Sequence, residues 1–228
     1  GIAFLIIIAY IIFYYGGAGV YAVIAMVINL FYIVGIMDSV DATLTLPGIA
    51  GIVLSMAMAV DTNVIIYERT KEELFAGKTI LEAYKDGFKH ALSAIIDGHS
   101  TTILTALVLY VFGTGPIKGF AVTLIIGILM TFFTSVLLSR VMIFARLNKG
   151  KSLSVWTPLT KNIFRNVWID FIGKRKYAYL FSAFLTVASL ISIGVNGFKY
   201  GIDFTGGRNY VVKFDKPIDA EVAEKSLI

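Results

Sequence analysis

The sequence predicts an all-α polytopic membrane protein, with the start of an α/β extracytoplasmic domain at its C-terminal end. Three observations predict it. Hydrophobic residues make up 57% of the 228 and charged residues only 15%, giving a mean hydropathy of +0.82, far from the balance of a soluble domain. The apolar residues fall into blocks near the ~20 that a helix needs to cross a bilayer. The charges gather mostly between those blocks or toward their ends, whereas Asp61 sits well inside the third.

Taken in order, the spanning helices are expected at 1–15, 20–37, 46–67, 92–112 and 118–144, making one bundle over 1–147. The first is short because the chain begins inside it. Gly1 is neither an initiator Met nor the head of a signal peptide, which would need a basic segment before its apolar run. Both ends therefore read as truncations of something longer. The loops set the orientation. Arg69, Lys71, Lys78, Lys85 and Lys89 separate the third and fourth blocks, and a second basic run from Arg140 to Lys176 follows the fifth. By the positive-inside rule both are cytoplasmic. Asp38 and Asp41, and the turn around Lys118, then face the other side. The formal charge of +5 is topological, and no nucleic-acid partner is needed to explain it.

Composition shifts over 148–175, which reads as a cytoplasmic linker with Gly150 and Pro158 leading into an amphipathic helix. There Phe164, Val167, Trp168 and Phe171 interleave with Arg165, Asp170 and Lys174, a pattern suited to the membrane interface. A further spanning helix follows at 176–198. Over 199–228 the chain turns polar, and Tyr210, Val212 and Phe214 alternate like a strand before a helix capped by Asp219. Gly206 and Gly207 are expected to form the tight turn joining the last spanning helix to that domain, at least one with positive φ. They match no phosphate-loop pattern, which would require GxxxxGK[ST]. With no cysteine and two histidines, the chain offers no thiolate and little for a metal cage, and no cofactor, metal or catalytic residue is expected.

Several long stretches resemble one family. "LTLPGIAGIVLSMAMAVDTNVIIYERTKEEL" and "AYKDGFKHALSAIIDGHSTTILTALVLYVFGTGPIKGFAVTLIIGILMTFFTSVLLSR" are similar to the membrane half of SecD, while "FIGKRK" and "GIDFTGG" are similar to the opening of SecF. The SecD/SecF resemblance covers nearly the whole chain, with both parts in the order of a fused member. It implies an RND-type helix bundle holding the second to sixth helices of the SecD half and the first of the SecF half. It also implies a non-enzymatic membrane component of Sec protein export, driven by protons as the coupling ion. The implied partners are the SecYEG translocon, a YajC-like accessory subunit, unfolded preproteins and membrane lipid.

Asp61 carries the functional reading. A carboxylate at the centre of a spanning helix costs about 2.5 to 3.5 kcal/mol on the insertion scale, so it marks an ion pathway by default. Desolvation favours its neutral form, and a nearby cation or water favours its charged form; a group balanced between them can load and release a proton. Asn63 lies two residues on and points elsewhere around the helix, so Asp61's partners are expected mainly from neighbouring helices. Thr101, Thr102 and Thr105 are the candidates, with Thr101 and Thr105 one turn apart on one face. The simpler alternative is that these hydroxyls bond only their own helix carbonyls. Gly98 and His99 stand where the family pattern has Ala and Asn. An aspartyl protease would need two facing aspartates, and Asp97 is too near a helix end to serve. A proton-coupled exporter of small molecules or lipids remains the rival class, since it shares the bundle.

Overall fold

The computed structural model describes residues 2–161, 163, 170 and 172–198. Gly206 and Gly207, the alternating segment after them and the amphipathic stretch around Trp168 lie outside the described residues. The described residues are predominantly helical, as expected of a polytopic all-α chain. The order is α1 (Ile2–Tyr15), α2 (Gly17–Ser39), α3 (Leu46–Phe75), α4 (Ile80–Phe112), α5 (Pro116–Thr131), a π-helical segment (Phe132–Leu138), α6 (Ser139–Leu147) and α7 (Arg175–Asn196). Among the described residues five helices are long and apolar enough to cross a membrane, with α5, the π segment and α6 counting as one of them.

Local chemistry sets the boundaries. Gly16, at φ +57°, forms the turn between α1 and α2, a conformation that glycine adopts without steric cost. Thr45 caps α3 by accepting from the Gly48 N–H at 3.1 Å, with Pro47 in the first turn. Thr79 and Glu82 form a reciprocal capping box that starts α4. Because of that box, α3 and α4 continue as a helical hairpin well past their apolar blocks, and its turn holds only residues 76–79. Lys78 closes the turn by pairing with Glu73 at 2.6 Å and Asp86 at 2.7 Å. Those two carboxylates, Asp86 foremost, hold its ammonium above the usual lysine range.

The bundle is organised around α3, which packs against α2, α4 and α5. Small residues permit the close approach. Gly51 faces Thr123, Gly127 faces Ser55 and Gly87 faces Thr70, each too near for a Cβ to be added without displacement. Without a hydrophobic driving force between helices in lipid, this kind of tight packing is what associates them. A buried polar seam runs beside it. Asn29 donates to Thr131 Oγ1 at 3.3 Å and Thr134 Oγ1 at 3.1 Å, Thr131 donates to the Ser55 carbonyl at 3.1 Å, and Ser135 donates to the Ala59 carbonyl at 3.0 Å. The π segment widens the helix where Thr134 and Ser135 face inward, a geometry common at functional turns.

Residues 152–161 carry more structure than their polar composition suggests. Leu153 and Val155 are buried, the Ala18 N–H donates to the Ser154 carbonyl at 3.0 Å, and Thr160 donates to the Tyr14 carbonyl at 2.8 Å. Trp156 stacks on Phe75 with centroids 5.5 Å apart. The segment is thus strapped across the basic end of α1, α2 and α3. Residues 1–166 and 167–228 form two separate units. In the second, α7 spans 22 residues with no buried side chain and ends at Gly197, φ +64°.

Candidate functional site

Helix rotation sorts α3's polar residues onto different sides. Successive residues turn by about 100°, so that Thr62 and Asn63 are buried while Asp61 sits on the exposed flank of the bundle. Among the described residues Asp61 has no hydrogen-bond or ion-pair partner. A titratable side chain it acts on is His99 of α4, which lies within its electrostatic reach.

His99 is held by both ring nitrogens. Nδ1 lies 2.9 Å from the Ile95 carbonyl, one turn back on α4, and Nε2 lies 3.4 Å from the Thr62 hydroxyl on α3. That hydroxyl is also 2.9 Å from the Met58 carbonyl, to which it donates. Asp61, Thr62 and His99 therefore form one cross-helix group, with Thr62 buried beneath it.

The other sequence candidates are placed differently. Asn63 is fully buried on the inner side, donating to the Ala59 carbonyl at 2.9 Å, and its Oδ1 is unpartnered among the described residues. Thr101 and Thr102 both donate to the Gly98 carbonyl, at 2.9 and 3.0 Å, and Thr105 donates to the Thr101 carbonyl at 3.0 Å. No hydrogen bond joins any of the three to Asp61. Their lone pairs stay available on a flank that is exposed at Thr101 and Thr105 and half-buried at Thr102, so they can accept from water or from a protonated acid. The structure sets His99 against Thr62, the residue next to Asp61, leaves the threonines on the α4 surface and turns Asn63 away.

A second polar cluster was not marked by the sequence. Lys71 is nearly buried, its Nζ 2.8 Å from Glu68 and 4.3 and 4.4 Å from the ring centroids of Tyr14 and Tyr15. Tyr15 donates to the same Glu68 oxygen at 2.8 Å. The cluster opens on a cavity of about 370 Å³ beside Phe75, Trp156 and Lys161. In sequence Lys71 is one of several loop cations. Only the continuation of α3 to Phe75 reveals that it faces α1.

Residues 1–149 match the family described as protein export membrane protein SecD/SecF, C-terminal, and residues 191–218 match the SecD/SecF GG motif. The chain belongs to the SecD/SecF family. Its relatives include the protein translocase subunit SecDF of Bacillus subtilis, 38% identical over 96% of this chain and 32% of the relative. The SecD subunit of Koribacter versatilis is 48% identical over 68% of this chain and 29% of its own length. A crystal structure of a Thermus SecDF, described as a translocon-associated membrane protein, superposes with a TM-score of 0.80 at 36% identity, covering 89% of this chain and 28% of that one. A second SecDF structure, in a super-membrane-facing form, gives 0.75 at 35% identity, over 87% of this chain and 26% of its own. The chain thus spans a third or less of the length of these SecD/SecF relatives. With its membrane-length helices it is a multi-pass bacterial inner-membrane protein.

Proposed function

We propose that this chain is the proton-carrying membrane region of a Sec export component, coupling proton entry to the movement of unfolded preproteins across the inner membrane. One observation carries the reading: Asp61 is an ionisable group in the spanning part of α3, on the exposed flank, without a hydrogen-bond partner among the described residues. A purely structural carboxylate would be expected inside the seam, hydrogen-bonded as Asn29 is. Each proton passing such a site delivers about 2.3 kcal/mol per 100 mV of membrane potential. The family assignment and its relatives, which are protein translocase subunits, support Sec export as the process served. The translocon, a YajC-like subunit, preprotein and lipid are the partners this reading entails.

The experiment is Asp61→Asn in the full-length protein, which keeps shape and most hydrogen bonding but abolishes titration. Preprotein translocation into energised vesicles is measured with and without an uncoupler, alongside thermal stability of the purified protein. The variant should insert and fold yet lose the uncoupler-sensitive part of export. Wild-type, uncoupler-sensitive export by a well-folded variant would end the reading.

A further inference from the structure

We propose that His99 is a second proton-holding group, taking up a proton as the charge partner of Asp61, with the Thr62 hydroxyl turning to match its state. The inference rests on the reading of Asp61 as a proton carrier and adds a residue to it. The argument is a count of donors. The Ile95 carbonyl can only accept, so Nδ1 must carry a hydrogen to make its 2.9 Å bond. Thr62 has one hydroxyl hydrogen. While that hydrogen goes to the Met58 carbonyl at 2.9 Å, the hydroxyl oxygen offers Nε2 only a lone pair, and the 3.4 Å contact requires a hydrogen on Nε2 as well. Both nitrogens protonated is the imidazolium. When Nε2 loses its proton, the same contact survives by rotation of the Thr62 hydroxyl away from Met58 and toward the ring. The site therefore accommodates two protonation states with one heavy-atom arrangement, and the transferred proton leaves from Nε2, the nitrogen not fixed to the helix backbone.

The charges around His99 favour the pairing. On α3 the group facing it is Asp61. On α4 itself Asp97 is exposed two residues earlier. α5 carries only Lys118, held over the Tyr110 ring at 4.8 Å. α6 carries Arg140 and Arg146; Arg140 sits over Phe144, whose ring meets Phe88, eleven residues before His99 on α4. Among these groups Asp61 is the one that acts on the ring, and its negative charge favours the imidazolium against the desolvation that opposes it.

The test is magnetic resonance of histidine-labelled full-length protein in lipid nanodiscs, with the His99 signal assigned by its disappearance in His99→Asn. In the wild type the charged ring should give way, as pH rises, to the neutral form with its hydrogen on Nδ1. Asp61→Asn should weaken proton binding at His99 at least tenfold. Thr62→Val, which keeps Asp61, should weaken it by a smaller factor and serves if Asp61→Asn does not fold. A neutral ring protonated on Nε2, or a titration midpoint that both substitutions leave unchanged, would overturn the proposal. The arms are separable from the reading they build on: if Asp61→Asn abolishes proton-driven export but His99 does not respond to it, only this inference falls. If Asp61→Asn exports normally, the coupling role falls whatever His99 does.

Discussion

The α3–α5 contact makes opposite forecasts for the same substitution at two glycines. Gly35, inside the C-terminal part of α2, has no atom within 4 Å of the place its Cβ would occupy, whereas a Cβ on Gly127 would collide with both Cβ and Oγ of Ser55. Replacing glycine by alanine inside a helix gains about 0.8 to 1 kcal/mol from propensity alone, and overpacking a tight contact costs about 1 to 3 kcal/mol. Gly35→Ala should therefore stabilise the protein by up to about 1 kcal/mol. Gly127→Ala should fall below it by about 1 to 3 kcal/mol, ending between neutral and clearly destabilised. Ser55→Gly relieves the collision because Cβ is part of it, so the double variant Ser55→Gly/Gly127→Ala should recover much of the loss despite adding a glycine. Unfolding of the purified full-length variants in mild detergent, by heat or graded denaturant, reads all four proteins on one scale. If Gly127→Ala is as stable as Gly35→Ala, the close approach of α3 and α5 is not what holds the bundle.

Two further outcomes are expected. Lys71→Met removes an ammonium that faces two tyrosine rings and Glu68. With its side chain only 9% exposed, the loss should reach about 2 to 3 kcal/mol, taking cation–π contacts at about 2 when desolvated and the half-exposed carboxylate pair at no more than about 1; a melting curve superimposable on wild type would refute the assignment. A lone cysteine at Lys78 should resist a membrane-impermeant thiol reagent in intact cells while one at Ser39 reacts, and this chain adds no thiol of its own. The reverse labelling would invert the orientation drawn from the basic loops.

The helices were legible because lipid makes hydropathy nearly sufficient: a run of apolar residues must become a helix once no water is left to bond its backbone. Their ends were less so. The α3–α4 hairpin outruns its apolar blocks because the Thr79 and Glu82 box and the Lys78 pairs stabilise polar turns of helix, and hydropathy does not register that chemistry. The π segment and the strap over 152–161 were invisible for a related reason. Each is fixed by single contacts such as Ser135 to the Ala59 carbonyl or Leu153 in its pocket, and no periodic pattern announces them. At the site, the cost of burying a carboxylate pointed to Asp61 from sequence. That His99 of α4 lies within its electrostatic reach depends on the rotation of two helices about their axes, which spacing along one chain does not determine.

That rotation has an identifiable cause. The Ala59 carbonyl accepts from Asn63 of its own helix and from Ser135 of the π segment, while one turn earlier the Ser55 carbonyl accepts from Thr131. Three polar side chains thus bond to one stripe of α3, and all of them are buried. Turning α3 to bring Asp61 inward would break both cross-helix bonds, drive Ser55 away from the only space Gly127 leaves for it, and bury an unpaired carboxylate. Each of those changes is unfavourable where no water can substitute for a lost partner. The inner seam and the outer site are therefore two consequences of one orientation. Asn63, which looks in sequence like a neighbour of Asp61 in the same relay, is buried on the opposite side of the helix and bonds only its own helix carbonyl among the described residues, so the bonds from Thr131 and Ser135 are the ones that hold Asp61 facing out.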